Sequence, residues 1–305
     1  MATKSDGIES HEITNMEEGL AASIGPQENG NFDCCTSPAA VTITHAIELL
    51  ELLAFLFDHE QTGFHISFST VYCILCIIFQ LIAEAIGTYF VIFAGCGSVA
   101  VNKIYGSVTF PGTCVTWGLI VMVMVYSVGH ISGAHFNPAV TISFAIFRRF
   151  PARQVPLYII AQLMGSILAS GTLALVFDVT PEAFFGTSLV LEIIISFLLM
   201  FVISGVSTDD RAVGDLGGIA VGMTILLNVF VAGPVSGASM NPARSIGPAL
   251  VKHQFEGLWV YIVGPIIGTI AGAFAYNLIR WTDKPLGELT KVGSFIKSSS
   301  KNNAS

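Results

Sequence analysis

Two blocks of this chain are near copies of each other, and each holds the tripeptide Asn-Pro-Ala. Residues 127–146 (SVGHISGAHFNPAVTISFAI) align with 231–250 (VAGPVSGASMNPARSIGPAL) at an offset of 104 residues. Gly129/Gly233, Ser132/Ser236, Gly133/Gly237, Ala134/Ala238, Ile142/Ile246 and Ala145/Ala249 coincide, as do Asn137-Pro138-Ala139 and Asn241-Pro242-Ala243. Asn suits a helix N-cap and Pro the first helical position, where a missing N–H costs nothing. The duplication therefore holds two helix starts at corresponding places, and the rest of the chain decides the medium around them.

That medium is a bilayer. Of 305 residues, 53% are hydrophobic and only 11% charged, against about 25% charged in soluble domains. The net charge of −8 owes much to the opening segment, where Asp6, Glu9, Glu12, Glu17, Glu18, Glu28 and Asp33 face only Lys4. Residues 1–42 therefore predict a disordered tail, and they carry no signal-peptide pattern. The six cysteines show no metal-ligand spacing, and Cys73-x-x-Cys76 falls within an apolar stretch that disfavours a redox pair. With no P-loop, nucleophile elbow or metal cluster, neither an enzyme nor a metal or cofactor is expected, and no nucleic-acid partner.

A crossing takes about 20 mostly apolar residues. Windows near 78–100, 114–131, 156–177, 188–206, 216–234 and 258–279 qualify, while the stretches after the tripeptides, about 138–147 and 242–251, are half as long. Ten helical residues cover about 15 Å of a hydrocarbon core about 30 Å thick, so these enter the membrane without crossing it. Each half of the chain thus holds three spans and a half-span. Three is odd, so the second half runs in the opposite sense. The predicted fold is an all-α membrane protein, six transmembrane helices plus two half-spanning helices in inverted repeats, about 80–177 and 188–280. Ten of the thirteen Lys and Arg fall on one side, Arg148, Arg149, Arg153, Arg211 and Arg280 among them, which predicts cytoplasmic termini.

Inverted repeats bring the two short helices together near the midplane, N-terminus to N-terminus. Their partial positive charges would repel cations and disfavour a proton on water, and the Asn amides could donate to a passing neutral molecule. The segments before them (Ser132-Gly133-Ala134-His135 and Ser236-Gly237-Ala238-Ser239) are tolerated at membrane depth only beside a water-filled path. The plainer alternative is two helix caps buried in a bundle without a path. Glu84 and Glu192 are repeat-related intramembrane carboxylates, either braces for the loop N–H groups or proton relays. Arg244 follows the second tripeptide where Val140 follows the first, and so asymmetric a charge belongs at a constriction. His130 and His135 are read as hydrogen-bonded loop histidines. Two stripes of small residues, Gly214, Gly218, Gly222 and Gly264, Gly268, Gly272, predict close helix contacts.

HFNPAVT and SMNPARS, preceded by GHISGA and GPVSGA, resemble the major intrinsic protein (aquaporin) family from about Leu81 to Trp281. AGCGSVAVNKIYGSVTFPG and LLNVFVAGPVSGASMNPARSIGPAL resemble its plant nodulin-26-like members. The resemblance implies the aquaporin fold, a homotetramer in the plasma membrane or an endomembrane, and a passive channel for water and small neutral solutes. It places a selectivity filter on Trp117, Val229, Ala238 and Arg244, a set similar to that of the glycerol-conducting nodulin-26 subgroup. Urea, arsenite and other metalloid acids are further candidate solutes. The chemistry agrees: an indole wall covers a carbon backbone, Arg donates to hydroxyls, and Val and Ala leave width. Ser245 and Ala249 look like water-channel residues, whereas Ile262 replaces an aromatic residue usual in them. In the C-terminal tail, residues 283–305, the resemblance implies a cytoplasmic kinase acting at Ser294.

Residues 43–79 depart from the family pattern and are read as an atypical apolar insertion leading into the first span, with the channel domain at 80–282. The competing functions are a proton-coupled carrier working through Glu84 and Glu192, and a non-conducting membrane scaffold.

Overall fold

The computed structural model describes residues 68–177, 188–209, 211–212 and 214–280, with side chains from Cys73 onward. The tail at 1–42, residues 43–67 of the predicted insertion, and the C-terminal tail with Ser294 lie outside the described residues. Eight α-helices occur among the described residues: α1 Phe68–Tyr105, α2 Thr109–Ser132, α3 Pro138–Ile146, α4 Val155–Val176, α5 Leu189–Thr208, α6 Gly217–Ser236, α7 Pro242–Lys252 and α8 Val260–Ile279. Six are long and apolar enough to cross a membrane. The other two, α3 with 9 residues and α7 with 11, are the expected half-spans.

The first crossing is longer than its predicted window. α1 runs for 38 residues, about 57 Å at 1.5 Å per residue, nearly twice a hydrocarbon core. Continuous helix through Cys73–Phe79 follows from a run with no Gly, Pro or polar turn to interrupt it.

Helix pairing follows the repeat. α1 packs on α4 as α5 packs on α8, and α2 packs on α6 across the pseudo-twofold. Each half-helix is lodged against the last span of the other half, α3 on α8 and α7 on α4. Two repeat-related hydroxyls join them: Ser166 Oγ donates to the Ala243 carbonyl at 2.6 Å, and Thr269 Oγ1 to the Ala139 carbonyl at 3.2 Å.

Glycine sets how closely the helices approach. A Cβ on Gly118 or on Gly222 would fall 2.6 Å from the other's carbonyl oxygen, so only bare backbone fits where α2 crosses α6. Gly268 and Gly272 meet the carbonyls of Ile193 and Phe197 in the same way, each at 2.3 Å. Gly214 departs from its expected role. It sits in the 3-10 turn Gly214–Leu216 ahead of α6, with open space where a Cβ would go. Its four-residue spacing from Gly218 continues past the point where the helix begins.

Among the described residues, polar groups are buried beside an apolar core while apolar side chains also cover the outside. Glu84, Thr88, Gln162, Ser166, Glu192 and Ser196 are fully buried, whereas Leu168, Leu227, Phe274 and Leu278 face outward. Those outward side chains meet hydrocarbon, so polar groups lie inside, where Glu84, Gln162, Ser166 and Glu192 find hydrogen-bond partners and only the Thr88 and Ser196 hydroxyls among these six do not.

Candidate functional site

The two half-helices begin from loops of matching conformation. α2 ends at Ser132 with Gly133 left-handed at φ 86°, and α6 at Ser236 with Gly237 at φ 78°. Ala134 and Phe136 follow at φ 50°, matched by Ala238 at 48° and Met240 at 54°. Left-handed backbone at non-glycine residues costs about 1–3 kcal/mol each and persists only where the surroundings hold it.

The two carboxylates do the holding. Glu84 Oε1 accepts from Ser132 Oγ at 2.7 Å and from the His135 N–H at 2.9 Å. Its Oε2 accepts from the Phe136 N–H and from Gln162 Nε2, both at 2.8 Å. Glu192 repeats the pattern with Ser236 Oγ at 2.6 Å and the N–H groups of Ser239 and Met240 at 2.9 Å. Tyr158 and Tyr261 complete each loop, donating to the carbonyls of Ser132 and Ser236 at 2.9 and 2.7 Å. Both carboxylates are fully buried, and neither lines the cavity described below. The brace geometry is present: each of the four carboxylate oxygens accepts at least one hydrogen bond from its loop.

Asn137 and Asn241 each act twice. The side-chain oxygen caps its own helix, accepting from the Ala139 N–H and the Ala243 N–H at 2.9 Å. The amide nitrogen donates across the pseudo-twofold, Asn137 to the Met240 carbonyl and Asn241 to the Phe136 carbonyl, each at 2.8 Å. A primary amide has two N–H groups. One is committed to this staple, and the second is left for whatever occupies the cavity that both residues line.

The walls of that cavity come largely in repeat-related pairs: Val91/Leu199, Val121/Ile225, Val125/Val229, Ala134/Ala238, Phe136/Met240 and Asn137/Asn241. Trp117 and Arg244 break the symmetry, their partners being Val221 and Val140, and all four line it too. Arg244 Nη2 donates to the Gly237 carbonyl at 2.8 Å, and its guanidinium carbon lies 5.4 Å from the Trp117 ring centroid. Val229 and Ala238 are buried in the same wall, each 4% exposed. His135 also lines the cavity, where the repeat has Ser239, with its Nδ1 3.1 Å from Thr141 Oγ1 and its ring packed by Phe144, Phe150 and Tyr158. Six of the ten residues predicted for the tripeptides and the constriction thus line one cavity, Asn137, Asn241, Trp117, Val229, Ala238 and Arg244, while the Pro-Ala pairs that follow each Asn do not. His130 does not join them, being exposed on the last turn of α2 rather than hydrogen-bonded in a loop.

Where α5 leaves the bilayer, Asp209 gathers the charged helix ends. Arg211 donates to both its oxygens at 2.9 and 2.7 Å, Tyr276 Oη donates at 3.0 Å, and Arg280 lies within 3.7 Å. The Arg211 hydrogen bonds, with smaller help from Tyr276 and Arg280, hold the Asp209 carboxyl well below the usual carboxylate range despite its burial. Nearby, burial and the charge of Arg280 pull the Arg149 guanidinium down to about 10.

Several participants escaped sequence reasoning. Gln162, Tyr158 and Tyr261 support the loops from α4 and α8. Asn228 donates to the Ile195 carbonyl at 2.9 Å and to Met240 Sδ at 3.2 Å, seating the side chain whose backbone receives Asn137. Gly87 leaves room for Phe136, whose ring would lie 2.0 Å from a Cβ there, and Gly95 does the same for Trp117. A fixed offset from the repeat flags Tyr158 with Tyr261, spaced by 103 residues in flanking helices. Nothing local flags the glycines.

Residues 75–276 match the family described as Major intrinsic protein. The chain is 76% identical over 303 residues to "Probable aquaporin NIP-type" from Nicotiana alata, covering 97% of this chain and 99% of that protein. It is 59% identical over 227 residues to "Nodulin-26" from Glycine max, covering 72% of this chain and 84% of that one. Among solved structures, the aquaglyceroporin from Plasmodium falciparum superposes with a TM-score of 0.59 at 25% identity, over 67% of this chain and 96% of its own.

Proposed function

The chain belongs to the major intrinsic protein family, and on that footing we propose that it is a glycerol-passing channel gated by size and polarity at Trp117, Val229, Ala238 and Arg244. It is an integral multi-pass membrane protein, a channel for water and small solutes rather than an enzyme. The observation that carries the finer reading is the convergence of both half-helix N-termini and this asymmetric quartet on one cavity. Flux is passive. A polyol hydroxyl meets Arg244 and the spare Asn137 and Asn241 N–H groups, while its carbons face Trp117 and the valine walls. Two helix N-termini carrying about half a positive charge each, with Arg244 beside them, exclude cations and protons.

The proton-coupled carrier is not carried forward, because Glu84 and Glu192 are buried and spent on the loops. The remaining proposals rest on sequence: cytoplasmic termini on the Lys/Arg bias, a homotetramer on family resemblance, and kinase action at Ser294 on the Lys291-x-x-Ser294 pattern. The domain limits are likewise proposed, with 43–79 as an insertion ahead of a channel domain at 80–282.

Stopped-flow light scattering on reconstituted vesicles, with water, glycerol, urea and arsenite gradients, tests the filter. Val229→His narrows the cavity that Val229 and Arg244 both line, and glycerol permeability is expected to fall at least tenfold while water flux persists. Unchanged selectivity would refute the assignment.

A further inference from the structure

We infer that Gly95, on α1, is a specificity-determining residue of the channel: by lacking a side chain it lets the Trp117 indole lie back against α1, and so sets the width between that ring and Arg244. The inference rests on the filter reading above and adds a residue that touches no solute.

A Cβ built on Gly95 would sit 2.4 Å from Trp117 Cε3 and Cζ3 and 2.5 Å from Cδ2. Carbon atoms in ordinary contact stand about 3.5–4.0 Å apart, so a methyl there requires the ring to move by roughly 1 Å or more. The helix behind is backed by α4. A Cβ on Gly97 would stand 3.4 Å from Leu173 Cδ2, and ten residues before Gly95 the two helices come closer still, the Ala85 carbonyl lying 2.3 Å from where a Cβ on Gly165 would be. Across the opening, Arg244 is tied to the Gly237 carbonyl at 2.8 Å. The free direction for the indole is toward the lumen.

The repeat supplies an independent sign that this is a tuned pair. Glu84 and Glu192 set α1 against α5 at an offset of 108 residues, which makes Ile203 the counterpart of Gly95. Val221 is the counterpart of Trp117, and both Ile203 and Val221 line the cavity. Bulk has therefore been exchanged between facing helices, small on α1 with large on α2, large on α5 with small on α6. A packing glycine kept only for helix contact would have no reason to change in step with the residue across from it.

The test compares glycerol and water permeability on the same vesicles, wild type against Gly95→Ala. The glycerol-to-water ratio is expected to fall about tenfold, and an unchanged ratio in a conducting variant overturns the proposal. Should Gly95→Ala pass nothing, Gly95→Ala with Trp117→Phe decides: returning flux supports the steric account, and continued silence overturns it. A second readout is independent of the solute. With Trp259→Phe and Trp281→Phe as background, Trp117 is the sole indole of three, and acrylamide quenching of its fluorescence is expected to rise at least twofold in Gly95→Ala. Unaltered quenching overturns the proposal. If the wild type passes water but no glycerol, the filter reading fails on its own, and the quenching still decides on Gly95.

Discussion

At the residue scale, the most demanding positions are the buried acceptors. Glu192 accepts three hydrogen bonds in the second loop, and Glu84 accepts four in the first, the extra donor being Gln162. The residue matching Gln162 in the second half is Pro265, which has no donor to offer. Glu192→Gln turns one acceptor oxygen into a donor facing a donor, and an unpaired buried group costs about 1–3 kcal/mol. The expected outcome is a lower thermal midpoint in detergent, read by size-exclusion after heating, with solute uptake in surviving protein indifferent to an imposed pH gradient. Uptake that became gradient-dependent, or a midpoint that did not move, would contradict the brace. The presence of these carboxylates was legible in the sequence because the repeat displays them twice, and the loop N–H donors followed under one of its two readings. Gln162 was not legible, because it reaches in from a different helix and has no counterpart in the second half.

At the scale of elements, the half-helices were legible down to their first residues, since Asn and Pro announce an N-cap in any medium. Helix separation was only partly so. A four-residue glycine spacing describes Gly264, Gly268 and Gly272 correctly, yet it wrongly includes Gly214, because spacing alone cannot tell where a helix starts. The α5 end makes a pH prediction. Asp209 has its carboxyl pKa depressed by its Arg211 hydrogen bonds, so its contribution to stability is complete above the unfolded value, about 3.9, and disappears as pH falls through the lower folded value. Thermal midpoints measured from pH 7 down to pH 3 are expected to decline for the wild type at the acid end. They should decline less steeply for Asp209→Asn, and parallel curves would count against this anchoring of α5 to α8.

At the scale of the whole molecule, the inverted architecture followed from counting three spans per half. Its working asymmetry did not follow from the count. The duplicated block shows that Arg244 has no partner in the first half, but the exchange of Gly95 and Trp117 for Ile203 and Val221 emerges only when α1 and α2 are seen face to face. Because the Asn amides cross from one half to the other, each half is incomplete alone. Expressed as two separate polypeptides divided between α4 and α5, the halves are expected to give water permeability only when produced together, and flux from either one by itself would defeat this reading.

The crossed amides also have a consequence for synthesis. Asn137 leaves the ribosome 104 residues ahead of Asn241, which at about 5–20 residues per second is a wait of roughly 5–20 s. Throughout that interval the first loop has its carboxylate brace from α1 but lacks the carbonyl its amide will later reach. The nascent first half must therefore sit in the translocon or the bilayer with one polar group provisionally satisfied, by water or a chaperoning surface. The conduit closes into its final form only when the last third of the protein arrives.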